Sequence, residues 1–273
     1  MSRIARVLSI ASSDSGGGAG VQADLRAFAA AGCHGSSVIV ALTAQNTREV
    51  RAVHAVPGLF IDAQLSAVFD DIGVDGAKTG MLFTAQTIEV VAAFVAAHPV
   101  PLVVDPVMVA SSGARLLRED AVGAMVGRLF PLATVVTPNL HEAQALAGTS
   151  TASRRELAER LHAMGAAAVI VTGGHGEDAV DHLFDGHRHI EIAVARHDVA
   201  ATHGAGCTHS ATLAALLAQG WPLEDAARQA ADTSAAAVAR GLTEIGAGEG
   251  PVDVLDVRSR VPSRPMVTSA GAR

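Results

Sequence analysis

Short runs rich in Val and Ile alternate with stretches of helical apolar spacing along most of the chain, and this rhythm constrains the fold more than any other feature. VLSIA (7–11), SSVIVALTA (36–44), GAKTGM (76–81), PLVVDPV (101–107), TVVTP (134–138) and AAAVIVTGG (166–174) read as strands. QADLRAFAAAG (22–32), FIDAQLSAVFDDI (60–72), TAQTIEVVAAFVAA (84–97) and segments near 118–129, 140–147 and 153–164 read as helices between them. Strands that are apolar on both faces and separated by helices argue for a three-layer α/β fold, a mostly parallel central sheet flanked by helices. REVRAVHAV (48–56) alternates instead, as a half-exposed edge strand does, and Pro57 stops it. Residues 178–196 break the rhythm as a hairpin about Asp185 and Gly186. Helices at 206–219 and 223–240 then close one domain, expected to span 1–256, and 257–273 lose periodicity and read as a tail.

Composition enters mainly to exclude. A net charge of -7 without a clustered Lys/Arg stripe disfavours nucleic acid as a partner. Every apolar run is interrupted well before the ~18 residues of a membrane span. Cys33 and Cys207 are the two cysteines and lie far apart, which fits neither a disulfide framework nor a metal cluster and points to a reducing cytoplasm.

In an open parallel sheet, ligands bind beyond the carboxyl ends of the strands. The segments at those ends are SSDSGGGAG (12–20), QNT (45–47), MVASSGAR (108–115), NLHE (139–142) and GGHGED (173–178). The glycine loop lacks the GxGxxG dinucleotide spacing, and GAKTG (76–80) lacks the glycine that a P-loop sets before its lysine. Asn139 and Glu142, three apart at a helix start, fit either a capping box or the oxygens that hold a hydrated Mg²⁺ beside phosphates. Asp105 offers a further carboxylate for the same ion, or serves as a turn residue before Pro106.

The segment ATHGAGCTHS (201–210) precedes a helical apolar repeat, so Gly204, Ala205, Gly206 and Cys207 stand at a helix start. Consecutive N–H groups there make a positive hollow suited to charge on a transferring phosphoryl group. That field is expected to lower the Cys207 pKa below the free-thiol value of ~8.5. His203 and His209 flank the thiol; zinc would need a fourth ligand that is absent from the sequence, and a Cys-His acyl-transfer site is the alternative they raise.

With these stretches in order, the chain resembles the ribokinase-like superfamily and, more closely, the hydroxymethylpyrimidine/phosphomethylpyrimidine kinases. IASSDSGGGAGVQADLRAFAAAG, VIVALTAQNT, KTGML, VVDPVMVASSG, TPNLHEA, VTGGH and THGAGCTHSA carry the resemblance, over about residues 6–245. It implies phosphoryl transfer from Mg·ATP to 4-amino-5-hydroxymethyl-2-methylpyrimidine and then to its monophosphate, in thiamine biosynthesis. Gln45 matches the position that bonds the aminopyrimidine, Asp24, Met81 and Val107 match the rest of that pocket, and Ser12 stands at a further position of it. Asn139 and Glu142 match the magnesium and phosphate motif, Gly204 to Cys207 the anion hole, and Thr172 and Gly174 the neighbourhood of the nucleotide. The resemblance also implies a homodimer, for which the strand at 48–56 offers a pairing edge.

Ser12 replaces a pocket glycine, while Ser111 and Thr172 stand where lysines are common in the family. Lys78 is the only lysine among 20 Lys and Arg residues. Most ribokinase-like enzymes carry Asp where this chain has Cys207. A thiol that is neutral beside the monophosphate and ionised beside the alcohol would serve both steps. Pyridoxal or pyridoxine kinase activity and a non-catalytic pyrimidine-binding protein are the alternatives.

Overall fold

The computed structural model describes residues 3–109, 113, 116–173 and 179–261. Nine strands form one sheet in the order β3-β2-β1-β4-β5-β6-β7-β8-β9. β1 (Arg6–Asp14), β2 (His34–Gln45), β4 (Gly76–Thr79), β5 (Leu102–Val104), β6 (Val135–Val136) and β7 (Val169–Val171) run parallel. β3 (Val50–Ala55) pairs antiparallel at one edge, and the hairpin β8 (Val180–Phe184) and β9 (His189–Ala193) closes the other. Asp185 Oδ1 accepts the His187 and Arg188 amides in the hairpin turn, where sequence reading sets it.

Helices α2 (Gly58–Ala67), α3 (Ala85–Ala97), α4 (Glu119–Ala124), α5 (Leu140–Ala147) and α6 (Arg154–Ala163) cover one face. On the other, α1 (Gly20–Ala30), α7 (Ala205–Ala218) and α8 (Leu223–Ala239) bury Ala27, Phe28, Leu213 and Ala230 against Val7, Val103, Val135 and Ile170. The strand register sets what each face receives. Ser9 of β1 lies beside Lys78 of β4, which lies beside Val103 of β5, so Ser9 and Lys78 enter the α1/α7 layer.

Strands β4 to β7 are all shorter than their sequences suggest. β5 ends at Val104 because Pro106 brings no amide to the ladder, leaving Asp105 just past the strand. β6 keeps only Val135 and Val136 of 134–138, its extension being cut short by Pro138. Val257–Arg260, the start of the expected tail, forms a 3₁₀ turn whose first amide donates to Asp253. Residues 262–273 lie outside the described residues. Among the described residues no helix is long and apolar enough to cross a membrane.

The chain leaves β1 toward β2 on one side and leaves β4 toward β5 on the other, so strand order reverses between β1 and β4. A crevice opens beyond the carboxyl ends at such a reversal. Ser12 of β1 and Met81, just past β4, line it, with Ser12 Oγ 3.2 Å from Met81 Sδ.

Candidate active site

Three clusters meet at this crevice. In the first, the Asp14 carboxylate ends β1 and accepts the amides of Gly16, Gly18 and Ala19 at 2.8, 3.0 and 2.9 Å, folding the glycine loop around itself. His203 Nε2 lies 3.0 Å from the same carboxylate and 3.4 Å from Gln45 Nε2. Burial alone would raise the Asp14 pKa, but the bonds from His203, Ala19 and Gly16 outweigh it and hold the carboxyl below its ordinary value. Glycine is required where the loops touch. A Cβ on Gly18 would stand 2.1 Å from His203 Cδ2, and one on Gly204, which has φ +86, would stand 2.0 Å from the Gly18 carbonyl oxygen. A cavity of about 350 Å³ opens beside this cluster, lined by Gln45, Asn46, Thr47, Arg48, His203, Gly248 and Glu249.

The second cluster is buried and charged. Lys78 Nζ lies 2.9 Å from Asp24 Oδ1 and 3.8 Å from Asp105 Oδ2, and the Lys78 and Asp24 side chains have no exposed surface. Ser9 Oγ donates to Asp24 and Ser210 Oγ to Asp105. Burial would strip the Lys78 proton, yet the neighbouring charges of Asp24, Cys207 and Asp105 raise its pKa instead and keep it an ammonium. Asp24, expected in the pyrimidine pocket, therefore spends its carboxylate on Lys78 and Ser9 within the core; this corrects the sequence-based expectation.

Cys207 corrects another. The residue is half-buried, and burial of its sulfur among the charges of Asp24 and Asp105 pushes the thiol up to about 12, against the opposing pull of Lys78 and the Gly20 amide. Desolvation and two carboxylates outweigh the helix field, so the thiol is neutral at pH 7 rather than a thiolate. The anion hollow is also smaller than expected. Ala205 N–H is spent on the Thr202 carbonyl at 3.1 Å, while no backbone partner takes the Gly206 and Cys207 amides among the described residues.

In the third cluster, Asn139 and Glu142 form a full capping box: Asn139 Oδ1 accepts the Glu142 amide and Glu142 Oε2 accepts the Asn139 amide, both at 2.9 Å. Glu142 Oε1 takes the Met108 amide at 3.3 Å, reaching across to the segment that carries Val107. Burial first, then the charge of Asp105, raises the Glu142 carboxyl to about 8. Asp105 is raised in turn by burial and by Asp24, against Lys78 and Ser210. Thr172 donates its amide to Pro138 O at 2.9 Å and bridges Asn139, so β7 ends against this cap. Gly174 and Ser111 lie outside the described residues.

Gln45 thus reaches the Gly204 loop through His203, and Cys207 reaches Glu142 through Asp105. Asp14 is the residue sequence reading passed over, and Lys78 and His203, though singled out there, were given no part in binding the two carboxylates they engage. A lone lysine inside an apolar strand was the available signal, since it must find a buried carboxylate. The acyl-transfer alternative needs a histidine serving as base to an ionisable thiol. His203 instead engages Asp14 and His209 faces Asp181, beside a thiol that stays protonated.

The architecture is that of a ribokinase-like kinase. The crystal structure of an ADP complex of Bacillus subtilis pyridoxal kinase matches with a TM-score of 0.85 at 36% identity, over 94% of this chain and 99% of that one. A hydroxymethylpyrimidine/phosphomethylpyrimidine kinase of Rhizobium meliloti is 49% identical over 252 residues, covering 90% of this chain and 95% of the relative. A thiamine biosynthesis bifunctional protein of Geobacter sulfurreducens is 48% identical over 267 residues, 93% of this chain but 54% of that longer protein. The phosphomethylpyrimidine kinase family matches residues 14–253, and the chain belongs to it.

Proposed function

We propose that this kinase transfers the γ-phosphoryl group of ATP to 4-amino-5-hydroxymethyl-2-methylpyrimidine and then to the resulting monophosphate, a step of thiamine biosynthesis. One observation carries the reading: Ser210 Oγ bonds Asp105 Oδ2 at 2.8 Å and the Gly206 carbonyl at 2.9 Å, so the start of α7, whose Gly206 and Cys207 amides have no backbone partner among the described residues, is tied to the carboxylate whose charge reaches Glu142. Asp105 and Glu142 are both raised by burial, and the charge of Asp105 raises Glu142 further, so the two form a site that a cation relieves. Mg²⁺ takes one or two carboxylates and keeps several waters, so Asp105 and Glu142 fit it as holders. When bound there, the ion would neutralise charge on the phosphates.

The pyrimidine lies in this reading across the ends of β1, β2 and β4, with Gln45 toward its amino group and Ser12, Met81 and Val107 around the ring. Phosphoryl transfer runs in line, so the nucleotide occupies the opposite side of the hollow, along the ends of β6 and β7 near Thr172 and Gly174. The transition state spreads charge over the equatorial oxygens, where the Gly206 and Cys207 amides and the start of α7 stabilise it. A loose transition state asks little of a base at the outset, which suits a thiol that remains protonated. The monophosphate, with a second pKa of ~6, is already anionic, and a neutral thiol does not repel it as a carboxylate would.

Mass-resolved product analysis with ATP, Mg²⁺ and the pyrimidine alcohol tests the reading. Successive gains of one and two phosphoryl groups are expected, and absence of any ATP-dependent gain overturns it. In Cys207→Asp the second phosphorylation should fall at least tenfold more than the first. Pyridoxal kinase activity is the second reading, favoured by the structural match to the B. subtilis enzyme. With both alcohols present, the pyrimidine should be consumed first and alone yield a diphosphate.

The protein is further read as a single domain over 1–256 with a tail at 257–273, cytoplasmic, and a homodimer. Among the described residues β3 has no further strand beside it, and Leu59 and Phe60, 90% and 61% exposed, follow it at the start of α2. Two unpaired cysteines agree with a reducing compartment.

A further inference from the structure

On the α7 side of the sheet, beyond the charged cluster, a second buried pair lies outside the chemistry described above. Asp181 of β8 falls on the same face as Leu183 and Ile170, pointing into the apolar layer under α7. A carboxylate in that position is costly unless partnered. Asp181 Oδ1 accepts the Gly173 amide at 2.7 Å, and Asp181 Oδ2 lies 3.2 Å from His209 Nε2. The His209 and Asp181 side chains are 6% and 4% exposed. Neither ring nitrogen of His209 makes a well-aligned hydrogen bond among the described residues, so Nε2 meets Asp181 as a close contact and Nδ1 meets no partner. Gly173 is pressed against β8, for a Cβ there would stand 2.3 Å from the Val180 carbonyl oxygen. Its neighbour Thr172 abuts the Asn139 cap.

His209 is two residues beyond Cys207 on α7, so one short path runs from the anion hollow to the end of β7: Cys207, His209, Asp181, Gly173. Replacing a buried polar or charged pair with apolar side chains is often neutral or stabilising, so stability alone is a weak account of this contact, whereas fixed geometry is a use such pairs have. We infer that His209 and Asp181 are positioning residues that hold the end of β7 in register with the start of α7, and so set the nucleotide against the anion hollow. This rests on the reading that the nucleotide lies along β6 and β7.

The test is calorimetric affinity for a non-hydrolysable ATP analogue with Mg²⁺, and separately for the pyrimidine alcohol, in the full chain. His209→Leu should weaken nucleotide binding about tenfold and leave pyrimidine affinity within twofold, and His209→Gln, which keeps an N–H donor, should recover most of the loss. Unchanged nucleotide affinity in His209→Leu, equal losses for both ligands, or no recovery with Gln overturns the inference. If His209→Leu does not fold, Asp181→Asn decides: it keeps an acceptor for Gly173 but drops the charge, and should weaken the nucleotide at least threefold, with no loss overturning the proposal. A wild-type protein that binds nucleotide but phosphorylates no pyrimidine would defeat the substrate assignment, while these affinities would still judge the linkage.

Discussion

At the scale of single residues, the site depends on charges held almost wholly out of solvent. Lys78 offsets two carboxylates, and removing one partner of a buried pair leaves the others uncompensated. Lys78→Met, close in shape and uncharged, should therefore cost about 3–5 kcal/mol of stability. Urea unfolding measures it, and adding Asp24→Asn should restore more than half of the loss. The same cluster explains Cys207, whose sulfur meets carboxylates and low dielectric before it meets the helix field. A helix start was visible in GAGC, but the two aspartates that reverse its effect come from α1 and the end of β5.

Among elements, the meeting of two glycine loops decides how α7 faces β1. Gly204→Ala meets both a positive φ and the Gly18 carbonyl, so it should lower kcat/KM by more than a hundredfold and destabilise the fold. Gly206 is different, since a Cβ there meets nothing within 4 Å. Gly206→Ala should raise helix stability by up to ~1 kcal/mol and still lower kcat at least tenfold by filling the hollow. Thermal unfolding and steady-state kinetics on both variants separate the effects.

The opposite ends of β1 and β4 are tied by Arg6 and Asp75. Asp75 accepts Arg6 Nε and the Arg6 amide, both at 2.9 Å, and the bond to the guanidinium first of all brings its carboxyl down to about 2. A folded pKa below the unfolded one gives stability that is present above about pH 4 and is lost as pH falls through about 2. The stability gap between wild type and Asp75→Asn should thus shrink from pH 6 to pH 2 in denaturant titrations.

For the whole molecule, the sheet has one edge that hairpin β8-β9 finishes and another where β3 has no further strand beside it among the described residues and is followed by exposed apolar side chains. An edge of that kind calls for a partner or protection. Light scattering after size exclusion should give twice the chain mass, and Leu59→Glu with Phe60→Glu should return it to one chain. Survival of the dimer in that variant would move the interface elsewhere.

Alternating apolar runs determine the layers of this protein, because burial on both faces leaves a strand no polar side, and helical spacing leaves each helix one stripe to bury. Hence the parallel strands, the edge strand at 48–56, the hairpin at Asp185 and the crevice loops at 12–20 and 139–142 were legible in the chain itself. Local chemistry was legible too where partners are close in sequence, as in the Asn139–Glu142 cap. What only the tertiary structure decided are the encounters between distant segments: Asp14 with His203, Asp24 with Lys78, Asp181 with His209. Electrostatic energy depends on separation in space and on the surrounding dielectric, and neither is written in the spacing of residues along a chain.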